Sequence, residues 1–282
     1  MFDGLATMLS YPFMWKAMLV GVLVALCASL LGVSLVLKRY SMIGDGLSHV
    51  GFCSLAIATA FNLAPLEVSV PVVVAAAFFL LRLTENSKIK GDAAIALISA
   101  SALTIGVMTV SLTTGMNVDV CNYMFGSILA LSNSDVLISI VVSVTVLILY
   151  ILFYTKIFAV TFDENFARAT GVKANLYNML IALLTAVVIV VGMRLMGALL
   201  ISSLIIFPSL TSMRCFNSFR SVVVCSAILS VICFLIGITF SYEFSTPAGA
   251  SVVSVNIIAF LAFSLAAFIL RKTRLSRNSG QE

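Results

Sequence analysis

The stretch Ala17-Met-Leu-Val-Gly-Val-Leu-Val-Ala-Leu-Cys-Ala-Ser-Leu-Leu-Gly-Val-Ser-Leu-Val-Leu-Lys38-Arg39 decides what kind of protein this is. It is apolar until the Lys-Arg pair ends it, and with Phe13 at its start it is long enough to cross a bilayer, which takes about 20 such residues. Similar runs recur along the chain. The 282 residues are 62% hydrophobic and only 10% charged, whereas a soluble domain carries about 25% charged residues. No long polar stretch exists to build a soluble domain, so residues 1–282 are expected to form a single membrane bundle, all-α and polytopic. The net charge of +5 is read as loop cations that orient membrane helices. It does not indicate nucleic-acid binding, because no aromatic and basic surface accompanies it. None of the six cysteines forms a CxxC pair, which argues against a disulfide framework. The N-terminus shows no basic leader with a small-residue cleavage site, so the first helix is expected to be retained.

Nine apolar runs are read: about 13–37, 42–62, 68–83, 92–114, 136–154, 176–193, 195–213, 222–240 and 251–270. Pro65 breaks the chain after the second. Asp92 suits the first turn of the fourth. Between the fourth and fifth, a mixed segment predicts a short interfacial helix over Cys121 to Leu131. With nine crossings, Lys38-Arg39, the loop with Arg82, Lys88 and Lys90, the loop from Lys156 to Lys173, the turn with Arg214 and Arg220, and the basic tail (271–282) share one side. The positive-inside rule makes that side cytoplasmic, with the C-terminus inside and the N-terminus outside. Arg194 is the one cation on the other side. Eight crossings would make one run re-entrant, the short pair around Arg194 first. The tail is expected to be disordered past Arg277.

Gly44-Asp-Gly-Leu-Ser-His-Val-Gly51 interrupts this apolar pattern. Asp45 and His49, the only histidine, are four residues apart and share one helical face. A carboxylate inside a membrane costs roughly 2.5–3.5 kcal/mol on insertion scales, so it tends to have a function. Two readings stay open at this point: half of a divalent metal site, or a carboxylate that caps the helix and hydrogen-bonds the imidazole. A metal would need further ligands from other helices or from a second copy in a dimer. Cys53 extends the stripe, as a ligand or as a small buried apolar residue. The three glycines suit close helix packing or passage of an ion. An intramembrane aspartyl protease is excluded, because no second span has an aspartate in its middle.

A second stretch lies in the long loop, about residues 156–175. Asp163 can cap a short helix carrying Phe166, Ala167 and Ala169, which Gly171 can end. This helix either anchors a turn at the interface or docks a soluble partner.

Four blocks then carry a family resemblance: Tyr11-Pro-Phe-Met with Leu35-Val-Leu-Lys-Arg; Met42-Ile-Gly-Asp-Gly-Leu-Ser-His49; Phe125-Gly-Ser-Ile-Leu-Ala with Asp163-Glu to Gly171; and Gly197-Ala-Leu-Leu to Phe207-Pro208 with Ser241-Tyr to Pro247-Ala-Gly249. The chain resembles the membrane permease of the ABC importers that take up zinc, manganese or iron. The resemblance implies that Asp45 and His49 line the metal path. It also implies that the loop around Glu164, Ala167 and Gly171 is the coupling helix, seated on a cytoplasmic ABC ATPase subunit. An extracytoplasmic metal-binding protein, a permease dimer and residence in the cell membrane follow from it as expectations. The metal is then cargo, and no cofactor is bound permanently. The chain departs from the family pattern at Cys53, often a small residue, and at Gly46, often Ala or Thr. The tail lacks a histidine-rich segment.

No Gly-x-x-x-x-Gly-Lys-Ser/Thr phosphate loop occurs, so ATP hydrolysis is expected on a separate subunit and the chain is no enzyme. A gradient-driven cation transporter is the alternative, but that class keeps several intramembrane acids. A structural scaffold would predict no cost for loss of Asp45 or His49. The Tyr-Pro-Phe-Met start and the Ser-His-Val continuation resemble zinc-type members.

Overall fold

The computed structural model describes residues 11–86, 91–113, 126 and 133–278. Those residues form eleven helices and no strand. They are α1 (Pro12–Leu37), α2 (Ile43–Ala60), α3 (Pro65–Asn86), α4 (Gly91–Thr113), α5 (Asn133–Leu152), α6 (Tyr154–Phe162), α7 (Glu164–Ala169), α8 (Ala174–Met196), α9 (Ala198–Cys215), α10 (Phe219–Phe244) and α11 (Ala248–Asn278). Eight of them are long and apolar enough to cross a membrane. Each of the nine expected runs is a long helix; the one outside the eight is α2, whose Asp45, Ser48 and His49 dilute its apolar content. The fold is thus an all-α membrane bundle, as expected.

Several boundaries differ from the sequence reading, each for a physical reason. Pro65 opens α3 instead of merely interrupting the chain, because proline fits the first helical turn, where its missing N–H is not needed. The break expected at Arg194 falls at Gly197, whose φ of +87° only glycine adopts without strain. The expected loop 156–175 starts inside α6, where Ile157 and Val160 are buried. The tail continues α11 as helix to Asn278; apart from that residue, the stretch past Arg277 expected to be disordered lies outside the described residues. The interfacial helix expected at 121–131 lies outside the described residues, apart from Gly126.

The helix α1 is the axis of the bundle, packed against α5, α8, α9 and α10. Without a hydrophobic driving force between helices in lipid, close packing and interhelical hydrogen bonds must hold them. Both are present. A Cβ on Gly32 of α1 would lie 2.0 Å from the backbone oxygen of Ile205 on α9, so these two backbones touch. Around that contact, buried serines donate to α1 carbonyls: Ser209 and Ser226 to Ser29 O at 3.4 and 3.5 Å, and Ser230 to Ala25 O at 3.0 Å.

Charges gather at the two ends of the bundle. At one end Lys16 Nζ donates to Asn133 Oδ1 at 2.6 Å, and Arg194 pairs with the buried Asp135 at 3.2 Å. The dissenting cation is therefore neutralised by an acid of α5 and sits in the last turn of α8, where the helix dipole favours a cation. At the other end lie Lys38, Glu164, Arg168 and Asn178.

Two stability predictions follow from these contacts. Gly32→Ala must push backbone against backbone, and overpacking of this kind costs about 1–3 kcal/mol; Ser230→Ala removes one interhelical hydrogen bond, on average about 0.6 kcal/mol. In detergent, the apparent melting temperature should fall further for Gly32→Ala than for Ser230→Ala. Arg194→Met, which leaves Asp135 buried without its cation, should cost about 3–5 kcal/mol, and adding Asp135→Asn should recover most of the loss in the same assay.

Candidate functional site

The helix α2 carries Asp45, Ser48 and His49 into the bundle, surrounded by α3, α4, α8 and α9. Its glycines allow this. A Cβ on Gly44 would meet Ile205 Cδ1 of α9 at 3.1 Å, one on Gly46 would meet Ile95 Cγ2 of α4 at 2.8 Å, and one on Gly51 would meet Met193 Cε of α8 at 2.8 Å. Close packing is therefore what these glycines serve. Each faces a different neighbour, so α2 is gripped on three sides.

The entry to α2 is equally fixed. Lys38 caps α1, Arg39 takes φ +62°, and Arg39 N and Tyr40 N donate back to Val36 O and Leu35 O at 3.0 and 2.8 Å. This is a Schellman ending with arginine where glycine is usual. Ile43 N then bonds Tyr40 O, and Gly46 N bonds Met42 O. Asp45 falls in the first turn of α2, about 3 Å along the axis, with His49 about 6 Å further. The site therefore lies toward the Lys38 end of the bundle. Asp45 and Arg39 can be so close in sequence because Lys38, the other cation of the pair, is only 10% exposed and is tied to polar partners there.

Asp45 and His49 do come together. Their Oδ2 and Nε2 atoms are 3.6 Å apart. That is an ion-pair distance but too long for a good hydrogen bond, so neither group is consumed by the other. His49 is more deeply buried than Asp45. Asp45 lines a cavity of about 570 Å³ with Met42, Ser202, Ser203, Phe207 and Ser254 among its walls. Ser203 Oγ is buried there without a hydrogen-bond partner among the described residues. Cys53 lies elsewhere, half-buried in a separate apolar cavity of about 310 Å³ between α2, α3 and α4. Among the described residues no third His, Cys, Asp or Glu joins Asp45 and His49.

The second predicted constellation is built as the sequence indicated. Asp163 Oδ1 accepts from Phe166 N at 2.9 Å and caps α7. Gly171, with φ +83°, ends it, and Val172 N returns to Ala167 O at 2.9 Å. The expected residues do not all face outward, however. Ala167 is fully buried against Val160 and Ala174. Glu164 faces the bundle, where Arg168 Nη2 donates to Oε1 at 2.6 Å, Asn178 Nδ2 donates to Oε2 at 3.0 Å, and Lys38 Nζ lies 3.5 Å from Oε2. The exposed face belongs to Phe162, Phe166 and Gly171, and the space beside Gly171 is open. Sequence reading missed Lys38 and Asn178 as partners of Glu164. A lysine after an apolar run reads as an ordinary flank, and its partner is 126 positions away.

A model of the ABC 3 transport family matches residues 10–267. The chain belongs to that family. It is 28% identical over 265 residues to the "Manganese transport system membrane protein MntC" of Halalkalibacterium halodurans, covering 94% of this chain and 90% of that protein. It is 29% identical over 251 residues to the "High-affinity zinc uptake system membrane protein ZnuB" of Haemophilus influenzae, covering 89% and 96%. Among solved structures, "PsaBC from Streptococcus pneumoniae in complex with Fab" superposes with a TM-score of 0.83 at 27% identity, covering 93% of this chain and 94% of that one. The resemblance to metal-ion ABC permeases drawn from the motifs therefore holds, and the gradient-driven alternative is not favoured.

The network around Glu164 makes a pH prediction. Burial pushes its carboxyl up, but the Asn178 amide, the Lys38 ammonium and Arg168 together hold it below the ordinary range. A depressed value means the network's contribution is complete above the unfolded carboxylate pKa of about 4.3 and is lost as pH falls through the lower folded value. Hydrogen-exchange protection factors of 163–173, corrected for the intrinsic rate at each pH, should fall in that acid window and lose this dependence in Glu164→Gln. Protection unchanged down to pH 3 would show that the network does not hold α7.

Proposed function

We propose that this chain is the membrane permease of an ATP-driven importer of divalent transition metal ions, with Asp45 and His49 as ligands on the ion's path. The observation that carries this reading is their placement: side by side, mutually unbonded, on a helix enclosed by four others, with Asp45 at the wall of a cavity. Such a carboxylate is costly to place in a membrane and is retained for function. Residues 1–282 act as one permease domain, with the Lys38 end and the C-terminus cytoplasmic, following the excess of cations on that side.

Family membership supports an ATPase as the source of energy, and the relatives' names divide between manganese and zinc. A carboxylate and an imidazole suit both, the imidazole favouring zinc and the oxygen extending the range to manganese. Zinc remains the expectation drawn from the motif. Two ligands from one chain leave an ion undercoordinated, so a second copy across a dimer interface, with water, completes the set. An extracytoplasmic metal-binding protein delivers the ion. On the cytoplasmic side, Phe162 at the end of α6, Phe166 of α7 and the open edge at Gly171 face the ATPase, while Glu164 and Ala167 hold α7 to the bundle.

Asp45→Ala and His49→Ala should each abolish metal-dependent growth and uptake of manganese and zinc, while the ATPase still co-purifies; wild-type uptake by both variants would sink the assignment. Competition between the two ions in proteoliposomes identifies the preferred metal. For docking, Gly171→Asn, which tolerates the left-handed backbone, should keep the ATPase bound, whereas Gly171→Trp should release it.

A further inference from the structure

The distance between α7 and the proposed metal site is spanned by a chain of contacts through Lys38. Both carboxylate oxygens of Glu164 are engaged by three separate elements: Arg168 of α7, Asn178 of α8 and Lys38 at the end of α1. Lys38 Nζ also donates to Asn178 Oδ1, and Arg168 Nη2 donates to Asn175 Oδ1 at 2.7 Å. Lys38 is therefore a buried cation shared between α7 and α8. Past Lys38, Arg39 N and Tyr40 N bond back into α1, and Ile43 N to Tyr40 O and Gly46 N to Met42 O lead into the turn that holds Asp45.

Two features make this route more than an anchor for a loop. An anchor for α7 already exists without Lys38, in the Asp163 cap, the Gly171 ending and the buried Ala167. And of the two cations that the described residues place on Glu164, Arg168 belongs to α7 itself, whereas Lys38 lies on the connection that leads into α2. A displacement of α7 must therefore carry Lys38 with it or give up the pair.

We infer that the Lys38–Glu164 pair transmits displacement of the ATPase-docking helix to the first turn of α2, which makes Lys38 a positioning residue for metal release. This rests on the proposed function, in that α7 is taken as the ATPase-docking helix. The pair ties α7 to the one short connection that leads into Asp45 and His49. Loss of the lysine charge uncouples hydrolysis from transport and leaves the two sites intact.

The test uses the permease with the ATPase that co-purifies with it, reconstituted in proteoliposomes and supplied with manganese or zinc. Uptake, ATP hydrolysis and ATPase retention are measured together for Lys38→Met, Lys38→Arg and the exchange Lys38→Glu/Glu164→Lys. Lys38→Met should retain the ATPase and its basal hydrolysis, while the ATP used per ion rises at least tenfold. Lys38→Arg should stay within about threefold of wild type, and the exchange should recover part of the coupling lost in Lys38→Met. A wild-type ATP-per-ion ratio in Lys38→Met would overturn the inference. So would loss of the ATPase in Lys38→Met with recovery in Lys38→Arg, since the pair would then serve docking. If Lys38→Met does not assemble, Glu164→Gln, which keeps the shape and removes the charge, is read by the same ratio, and a wild-type ratio again overturns it. Failure of the functional reading is distinct: the wild-type complex would then show no ATP-dependent uptake of either ion.

Discussion

The backbone contact between Gly32 of α1 and Ile205 of α9 is the constraint on which the remaining geometry depends. Ile205 is used twice. Its carbonyl oxygen lies where a Gly32 side chain would be, and its own side chain fills the space that Gly44 leaves on α2. One residue therefore sets the spacing of the central helix, the cavity-lining helix and the helix with the proposed ligands. Serine hydroxyls from α9 and α10 onto α1 carbonyls reinforce the spacing. In a membrane such contacts supply the cohesion that hydrophobic burial supplies in water. Small residues are then a structural necessity along α1 and α2, and they are also what lets a polar turn lie so near the bundle's centre.

Much of this was legible in the sequence, because membrane helices announce themselves by length and apolarity and α7 by its cap and its closing glycine. The pairing of Asp45 with His49 follows from helical periodicity alone, and the Asp163 cap from the residue type at the start of a short helical run. What could not be read were relations between distant positions. The break at Gly197 depends on a positive φ that the local sequence does not distinguish from the polar interruption at Arg194. Arg194 itself looked anomalous until Asp135, 59 residues earlier, was placed 3.2 Å away. Likewise, the resemblance implies a coupling helix around Glu164 and Ala167 but not which way their side chains turn, and both turn toward the bundle. A helix of six residues shows nearly two turns, too few for its apolar face to be resolved from pattern.

The two ends of the bundle are held in different ways. At the Arg194 end, Arg194 and Asp135 neutralise each other across two helices, α8 and α5. At the Lys38 end, one carboxylate is shared by Lys38, Arg168 and Asn178, and Asn175 accepts from Arg168 in turn. This is also the end where α7 exposes Phe166.

The placement of Asp45 bears on what a transport ligand must do. It sits in the first turn of α2, where the helix dipole contributes about half a positive charge. That field stabilises the carboxylate and opposes a cation bound to it. With His49 as the sole neighbouring ligand among the described residues, the proposed site falls short of the four ligands that hold structural zinc. A storage or catalytic centre built this way would be poor. For an ion in transit the same shortfall is what permits release, because tight coordination by one chain would have to be undone on every cycle. On the proposed function, specificity then comes from what completes the coordination shell more than from Asp45 and His49 alone. On that view the relatives can handle manganese in one case and zinc in another while keeping one architecture, and the metal preference is a property of the assembled complex.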